Sequence, residues 1–403
     1  KSLKEKFLKK NMMFKVRGYE LTSGLIEKKI TRVLFCTSPL QVVNARSTMD
    51  YLGSEENCKD YVAIIHPLLS KSTKLLIKNT AQKMNYDEVF DLTYLVNNGN
   101  FNEITLAKKI FNIRAIVSNK IYKFQTLSKD ISVALQEKIG NIDILFFRMD
   151  YKNLDLLFIN TQKDAIFYAI EDGIEDYIPK YWPFIVLNNH EIKNKIISVL
   201  KSYSLFFASL FLTGSWGKSS HIFIKPTPNY KDFFTNIRTR KSIYVGDQFK
   251  KNILSLDTTF HEQKIKVIII GTLLDHRFKF NINRELELYN KLINQISEKY
   301  KIHKTEIWYK AHPRLPSKDW NLMKKNLHCS IYNYQHESIA EVELLNKNLS
   351  AVYSLSSTML LYAKKIFNID SFLIDIRDED CHPSSFKKAH YLAKQFDIKT
   401  IKP

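Results

Sequence analysis

Three apolar, strand-like runs of this chain each stop abruptly at a compact polar motif. DAIFYAI runs into Glu171-Asp172-Gly173, EIWYKA into His312-Pro313, and SAVYSL into Ser356-Ser357-Thr358. In open α/β sheets, ligands sit in the crevice beyond the strand carboxyl ends, so stops of this kind point to a shared site. Glu171 is placed to act as a general base toward a hydroxyl, a role worth typically 10² to 10⁴ in rate. Successive side chains of an extended segment point to opposite faces, so Asp172 serves the loop or the substrate instead of pairing with Glu171. Gly173 permits the tight turn that follows. The alternative for this motif is a strand-end turn with solvated acids.

Lys310, His312 and Arg314 bring three cationic or protonatable groups together at the second stop, where they can neutralise a departing anion. Pro313 disfavours helical backbone at His312 and keeps it extended. A plain loop is the competing reading. At the third stop, Ser356, Ser357 and Thr358 precede the helix-like MLLYAKKIF. Serine suits a helix N-cap, and exposed amides with hydroxyls at such a point hold anions; a cap with no ligand is the alternative. Gly271-Thr272, after VIII, is a further strand-end turn able to approach a nucleotide, although it lacks both the GxGxxG and the GxxxxGK[ST] patterns. Glu341 and Glu343, in IAEVELL, could reach ribose hydroxyls, against a default of two exposed helical acids. Asp275-His276 and Asp378-Glu379-Asp380 carry metal-ligand residue types, but the acid-rich run reads as solvated loop and no metal site is expected.

Positioning these stops requires a repeating strand-helix pattern. Strand-like runs occur at Arg32 to Thr37, Tyr61 to His66, Glu88 to Leu92, Ala115 to Ser118, Ile142 to Phe147 and Ala165 to Ile170, with helix-length stretches between several of them. A second series follows at Lys266 to Ile270, Thr305 to Lys310, Leu327 to Tyr332, Ala351 to Leu355 and Phe372 to Ile376, and Ile282 to Tyr300 has helical spacing. The pattern predicts α/β architecture: two Rossmann-like, doubly wound domains facing a central cleft. The expected divisions are a basic segment over 1–31, an acceptor-side domain over 32–225, a linker over 226–245, a nucleotide-binding domain over 246–385, and a C-terminal helix and tail over 386–403.

A chain of 403 residues, 45% hydrophobic and 25% charged, has ample core for two domains of roughly 150 to 200 residues. Its formal charge of +20 draws in polyanions, anionic lipid or acidic sugars. No zinc-finger spacing, RNP-like aromatic motif or zipper-type basic helix is present, so nucleic acid is not the expected partner. Cys36, Cys58, Cys329 and Cys381 are scattered without CxxC spacing, which fits reduced thiols in the cytoplasm. The start at Lys1 rather than Met suggests that residues were trimmed ahead of it. No apolar stretch is long enough to span a bilayer; the nearest, Ser202 to Thr213, reads as a buried helix or interdomain segment, with membrane contact as the alternative. Lys1 to Lys29 carries nine Lys/Arg against three Glu among apolar residues, a pattern able to lie on an anionic membrane surface as well as to be solvated.

The order acid-acid-Gly, His-Pro, Ser-Ser-Thr resembles the bacterial two-domain (GT-B) sialyltransferases, and above all the capsular polysialyltransferase family. Ser38-Pro39-Leu40-Gln41 after the first strand and SSTMLLYA at Ser356 to Ala363 share the likeness. The resemblance implies inverting transfer from CMP-sialic acid to an oligo- or polysialic acid acceptor in capsule synthesis, with no metal or other cofactor. By the same resemblance Glu171 is the base for the acceptor hydroxyl and His312 supports the departing phosphate. Ser356, Ser357, Thr358, Gly271, Thr272, Lys310, Pro313, Glu341 and Glu343 fall on the donor side, and Asp172, Gly173 and Ser38 on the substrate side. Asp172 stands where some relatives have Glu. Cytoplasmic residence, peripheral to the inner face of the membrane, with capsule-assembly proteins as partners, is the implied setting. The alternatives are a single-addition lipooligosaccharide sialyltransferase, a CMP-Kdo transferase, or a non-catalytic polyanion- or membrane-binding protein.

Overall fold

The computed structural model describes residues 29–53, 57–65, 69–98, 129–148, 162, 165–171, 218–221, 242–256, 264–272, 282–312, 315–332, 339–376 and 383–403. Two wholly parallel sheets organise them. The first comprises β1 (Ile30–Cys36), β2 (Cys58–Ile64), β3 (Glu88–Asp91), β4 (Ile144–Arg148), β5 (Ile166–Ile170), β6 (Lys218–His221) and β7 (Ser242–Tyr244), in the order β3-β2-β1-β4-β5-β6-β7. The second holds β8 (Val267–Ile270), β9 (Ile307–Lys310), β10 (Ser330–Ile331), β11 (Ala351–Ser354), β12 (Asp370–Ile374) and β13 (Lys399–Ile401), in the order β10-β9-β8-β11-β12-β13. Strand order reverses between β1 and β4 in one sheet and between β8 and β11 in the other. Such switch points are where an open parallel sheet leaves a crevice at its carboxyl edge.

The helices that matter for the site are α1 (Pro39–Leu52), α2 (Lys71–Lys83), α3 (Thr93–Asn98), α4 (129–139), α5 (Gly246–Ser255), α6 (Ile282–Tyr300), α7 (Ser317–Asn326), α8 (Met359–Lys365) and α9 (Pro383–Phe396). Strands covered on both faces read as unbroken apolar runs, because neither set of alternating side chains meets water. In β1, Val33 and Phe35 join a cluster on one face with Phe147 and Phe167, while Leu34 and Cys36 face the other way. That second face belongs to one apolar cluster running through α1 and α5 to Ile268, Val352 and Leu373 of the second sheet and Leu361 of α8. A third cluster, under α6 and α7, covers the far face of the second sheet.

Helix α1 lies inside this shared layer, and Gln41 through Met49 are all buried. Its polar residues are therefore bonded: Ser47 and Thr48 donate to the carbonyls four residues back at 2.7 and 2.9 Å. Arg32 of β1, 1% exposed, stands in register with Asp60 of β2 and meets it with two hydrogen bonds of 2.5 and 2.7 Å. Arg46 of α1 also binds Asp60, at 3.1 Å, and binds Asp50 at 2.7 Å. Asn252 of α5 donates to Asp50 at 2.8 Å, so a buried polar strut runs from the first sheet through α1 to α5. Such groups are retained only when bonded, since an unpaired buried charge is costly.

The α/β fold class read from the sequence is the observed one. Two stretches differ from the expected divisions. Ser242–Tyr244, assigned to the linker, is the outer strand of the first sheet; Lys399–Ile401, assigned to a tail, pairs with β12. Both strands are three residues long, too short for alternation to show. The predicted strand at Ala115 to Ser118, the apolar run from Ser202 to Thr213 and most of the basic first segment lie outside the described residues. Among the described residues, no helix is long and apolar enough to cross a membrane.

Candidate active site

The strand-end stops read from the sequence sit, where described, at the carboxyl ends of parallel strands. Glu171 follows β5, His312 follows β9, Gly271 and Thr272 follow β8, Ser356 follows β11, and Ser38 follows β1. Asp172, Gly173 and Pro313 lie outside the described residues, as do Asp275-His276 and Asp378-Glu379-Asp380. Since β9, β8 and β11 are neighbours, the His312, Gly271 and Ser356 stops line one edge of the second sheet, with its switch point beside Gly271.

Glu171 is 1% exposed. Asn44 of α1 donates from Nδ2 to the Glu171 carbonyl at 2.8 Å, which fixes the main chain where the strand ends. Its side chain meets the other half of the molecule: the Tyr362 hydroxyl, on α8, donates to Glu171 Oε1 at 3.3 Å. Tyr362 is wholly buried and stacked on Phe249 of α5, with centroids 4.9 Å apart. Since α8 begins directly after Ser356-Ser357-Thr358, this contact joins the carboxylate of the first lobe to the helix carrying the hydroxyl motif.

Thr358, at the head of α8, already has helical backbone, and the cap is supplied by Ser357, whose Oγ accepts from the Met359 amide at 3.2 Å. Ser356 Oγ is buried with no hydrogen-bond partner among the described residues, in a small pocket with Ser357, Leu360 and Leu361. The Thr272 hydroxyl is likewise buried and unpartnered among the described residues. Polar atoms left this way are uncommon and call for a reason.

Gly271 is required by packing: its amide donates to the Lys310 carbonyl at 2.8 Å, and a Cβ there would collide with the Tyr309 hydroxyl. Tyr309 is buried against Tyr289, so it has little room to yield. Lys310 Nζ pairs with Glu343 at 3.1 Å, both side chains being buried, and lies 5.1 Å from the centre of the Tyr332 ring. The two acids of IAEVELL are therefore not the exposed helical pair of the default reading. They occupy a 3₁₀ turn, Ala340–Leu345, against the end of β9, and both are buried. Burial raises the Glu341 carboxyl above its ordinary range, with the Glu341 backbone and Lys310 opposing the shift. Burial also pushes the Tyr332 phenol well up, with Glu343 adding to the effect.

Sequence reasoning missed Asn44, Tyr362 and the pair formed by Asp375, at the end of β12, with His390 of α9 at 3.5 Å. Asp375 had a usable signal, as another acid closing an apolar run. Tyr362 had none, because an aromatic in an apolar helix reads as core.

The family model for alpha-2,8-polysialyltransferase (POLYST) matches residues 32–375. The chain belongs to that family. It is a glycosyltransferase and a sialyltransferase, and membership implies a nucleotide-sugar donor and a polysaccharide acceptor. Among solved structures it resembles a Staphylococcus aureus MnaA-UDP complex, at 12% identity over 92% of this chain and 89% of that one, with a TM-score of 0.50. It also matches the GT-B domain of a Photobacterium damselae sialyltransferase, at 11% identity over 93% of this chain and all of the other, with a TM-score of 0.45. At such identities the likeness concerns the fold alone, two parallel sheets with their helices in Rossmann-like lobes. No curated protein matches the chain.

Proposed function

We propose that the enzyme transfers sialic acid with inversion from CMP-sialic acid to the non-reducing end of an oligo- or polysialic acid chain, without a metal. The observation that carries this reading is the contact of Glu171 with the helix following Ser356-Ser357-Thr358, in a chain that belongs to the polysialyltransferase family. Glu171 takes the proton of the acceptor hydroxyl as that oxygen attacks the anomeric carbon. The bond to the phosphate oxygen breaks on the opposite face, and cytidine monophosphate departs as an anion.

Charge therefore develops on the phosphate, and preorganised donors and cations stabilise it. His312, beyond β9, and the Ser356 and Ser357 hydroxyls, beyond β11, end strands that flank β8. Ser357 Oγ accepts from an amide, which leaves its proton to donate. Glu341 and Glu343 lie next to this edge as candidate ribose partners, Glu343 held in place by Lys310.

Incubation with CMP-sialic acid and a labelled short oligosialic acceptor, followed by sizing of the products, tests the reaction. A ladder is expected; a single added residue would restrict the enzyme to one addition, and no shift would remove the donor and acceptor assignments. Glu171→Gln should lower turnover by about 10² to 10⁴ while donor binding persists. Full turnover in that variant would remove Glu171 as the base.

A further inference from the structure

We infer that Tyr362 is a positioning residue for Glu171, its phenol holding one carboxylate oxygen so that the base is set from the lobe that carries the Ser356-Ser357-Thr358 motif. The inference rests on the reading of Glu171 as the base.

The ring and the hydroxyl of Tyr362 answer to different demands. Stacking on Phe249 and complete burial account for the ring, and a phenylalanine would meet both. They do not account for a hydroxyl in an apolar layer, where a polar group is tolerated only when it is bonded. The hydroxyl is used on Glu171 Oε1, 191 residues away in the chain. A carboxylate is an acceptor only, so the phenol supplies the proton of that bond.

Rigidity makes the contact useful. Tyr362 is anchored at its backbone by a bond from its amide to the Thr358 carbonyl at 3.2 Å, and its ring is fixed by Phe249, itself fully buried. Glu171 is anchored independently by Asn44 at its own carbonyl. Main chain and side chain of the base are thus set by two helices, α1 from the first lobe and α8 from the second. A carboxylate on a flexible stem loses catalytic efficiency when displaced by about an ångström, since proximity and orientation supply much of the rate. The 3.3 Å separation is long for an O–H···O bond, and catalytic hydrogen bonds of this length shorten when substrate is bound. The two motifs thereby cooperate: a displacement of α8 on phosphate binding is felt at the base.

Tyr362→Phe keeps the ring and deletes only the hydroxyl. The expected result is a fall of about ten-fold in kcat, part of the 10² to 10⁴ that a general base supplies, with KM for CMP-sialic acid unchanged and a lower Tm, because a buried carboxylate loses one of its bonds. The same change is then made in Glu171→Asp, whose shortened side chain no longer meets the phenol; there it should cost nothing further, because residues that act as a unit are non-additive. Wild-type kcat in Tyr362→Phe would overturn the inference. So would losses that multiply in the Glu171→Asp background, since these mark a role that does not run through the carboxylate. Full turnover in Glu171→Gln would remove the base reading itself, an outcome read from a different variant.

Discussion

The Ser356 hydroxyl is a buried polar group without a protein partner among the described residues, and such a group lowers stability by about 1 to 3 kcal/mol. Its retention is explained if it bonds the donor phosphate. Ser356→Ala should therefore hold or raise Tm in the free enzyme while weakening CMP binding by roughly ten-fold or more, as loss of a bond to a charged group implies. Thermal melts and calorimetric titration with CMP, on the same preparation, check both halves. Glu341 makes the same point through pH. Its folded carboxyl holds its proton more tightly than the ordinary 4.5, chiefly through burial, so the folded state binds more protons as pH rises past that value, and stability falls across the window. Glu341→Gln is expected to melt higher than wild type at pH 7 and equally at pH 4. A difference that grows toward low pH would contradict the sign.

Among the elements, the buried pair between β9 and the 3₁₀ turn carries the clearest consequence. Removing one partner of a buried ion pair costs about 3 to 5 kcal/mol because it strands the other charge. Glu343→Ala should lose about that much, and the double variant Lys310→Met, Glu343→Leu should recover most of it; urea unfolding of wild type, single and double variants measures the difference. The strands ending at the site were legible because an apolar run that stops at a polar motif records both a two-sided sheet and an edge open to ligand. The short strands β7 and β13 were not, since three residues carry no periodicity. Glu341 and Glu343 were misjudged for a related reason. Their burial depends on Lys310, thirty-three residues away from Glu343 in the chain, and local spacing contains nothing of it. Arg32 was hidden too: an arginine at a strand's start reads as its solvated margin, whereas the register with Asp60 places it inside.

For the whole molecule, the +20 charge remains to be explained by something other than folding. A growing polysialic acid chain is a polyanion, and a positive surface would retain it between additions. Exposed charges are screened over about 8 Å at physiological salt, so attraction spread along a long chain is more sensitive to ionic strength than a single end contact. KM for long acceptors should accordingly rise more steeply with salt than KM for short ones, as measured by initial rates from 50 to about 400 mM NaCl. Parallel curves would place the charge in another role.

The shared apolar layer between the sheets bears on how the molecule can be handled. Leu34 and Val42 on one side and Val352 and Leu361 on the other belong to the same cluster, and α5, after the first lobe, packs into it as well. A fragment ending near residue 256, or one beginning near 264, would present that layer to water as a large sticky face. The two halves are thus partners in solubility: a split form of the chain calls for co-expression of both pieces, and melting should proceed as one cooperative event instead of lobe by lobe.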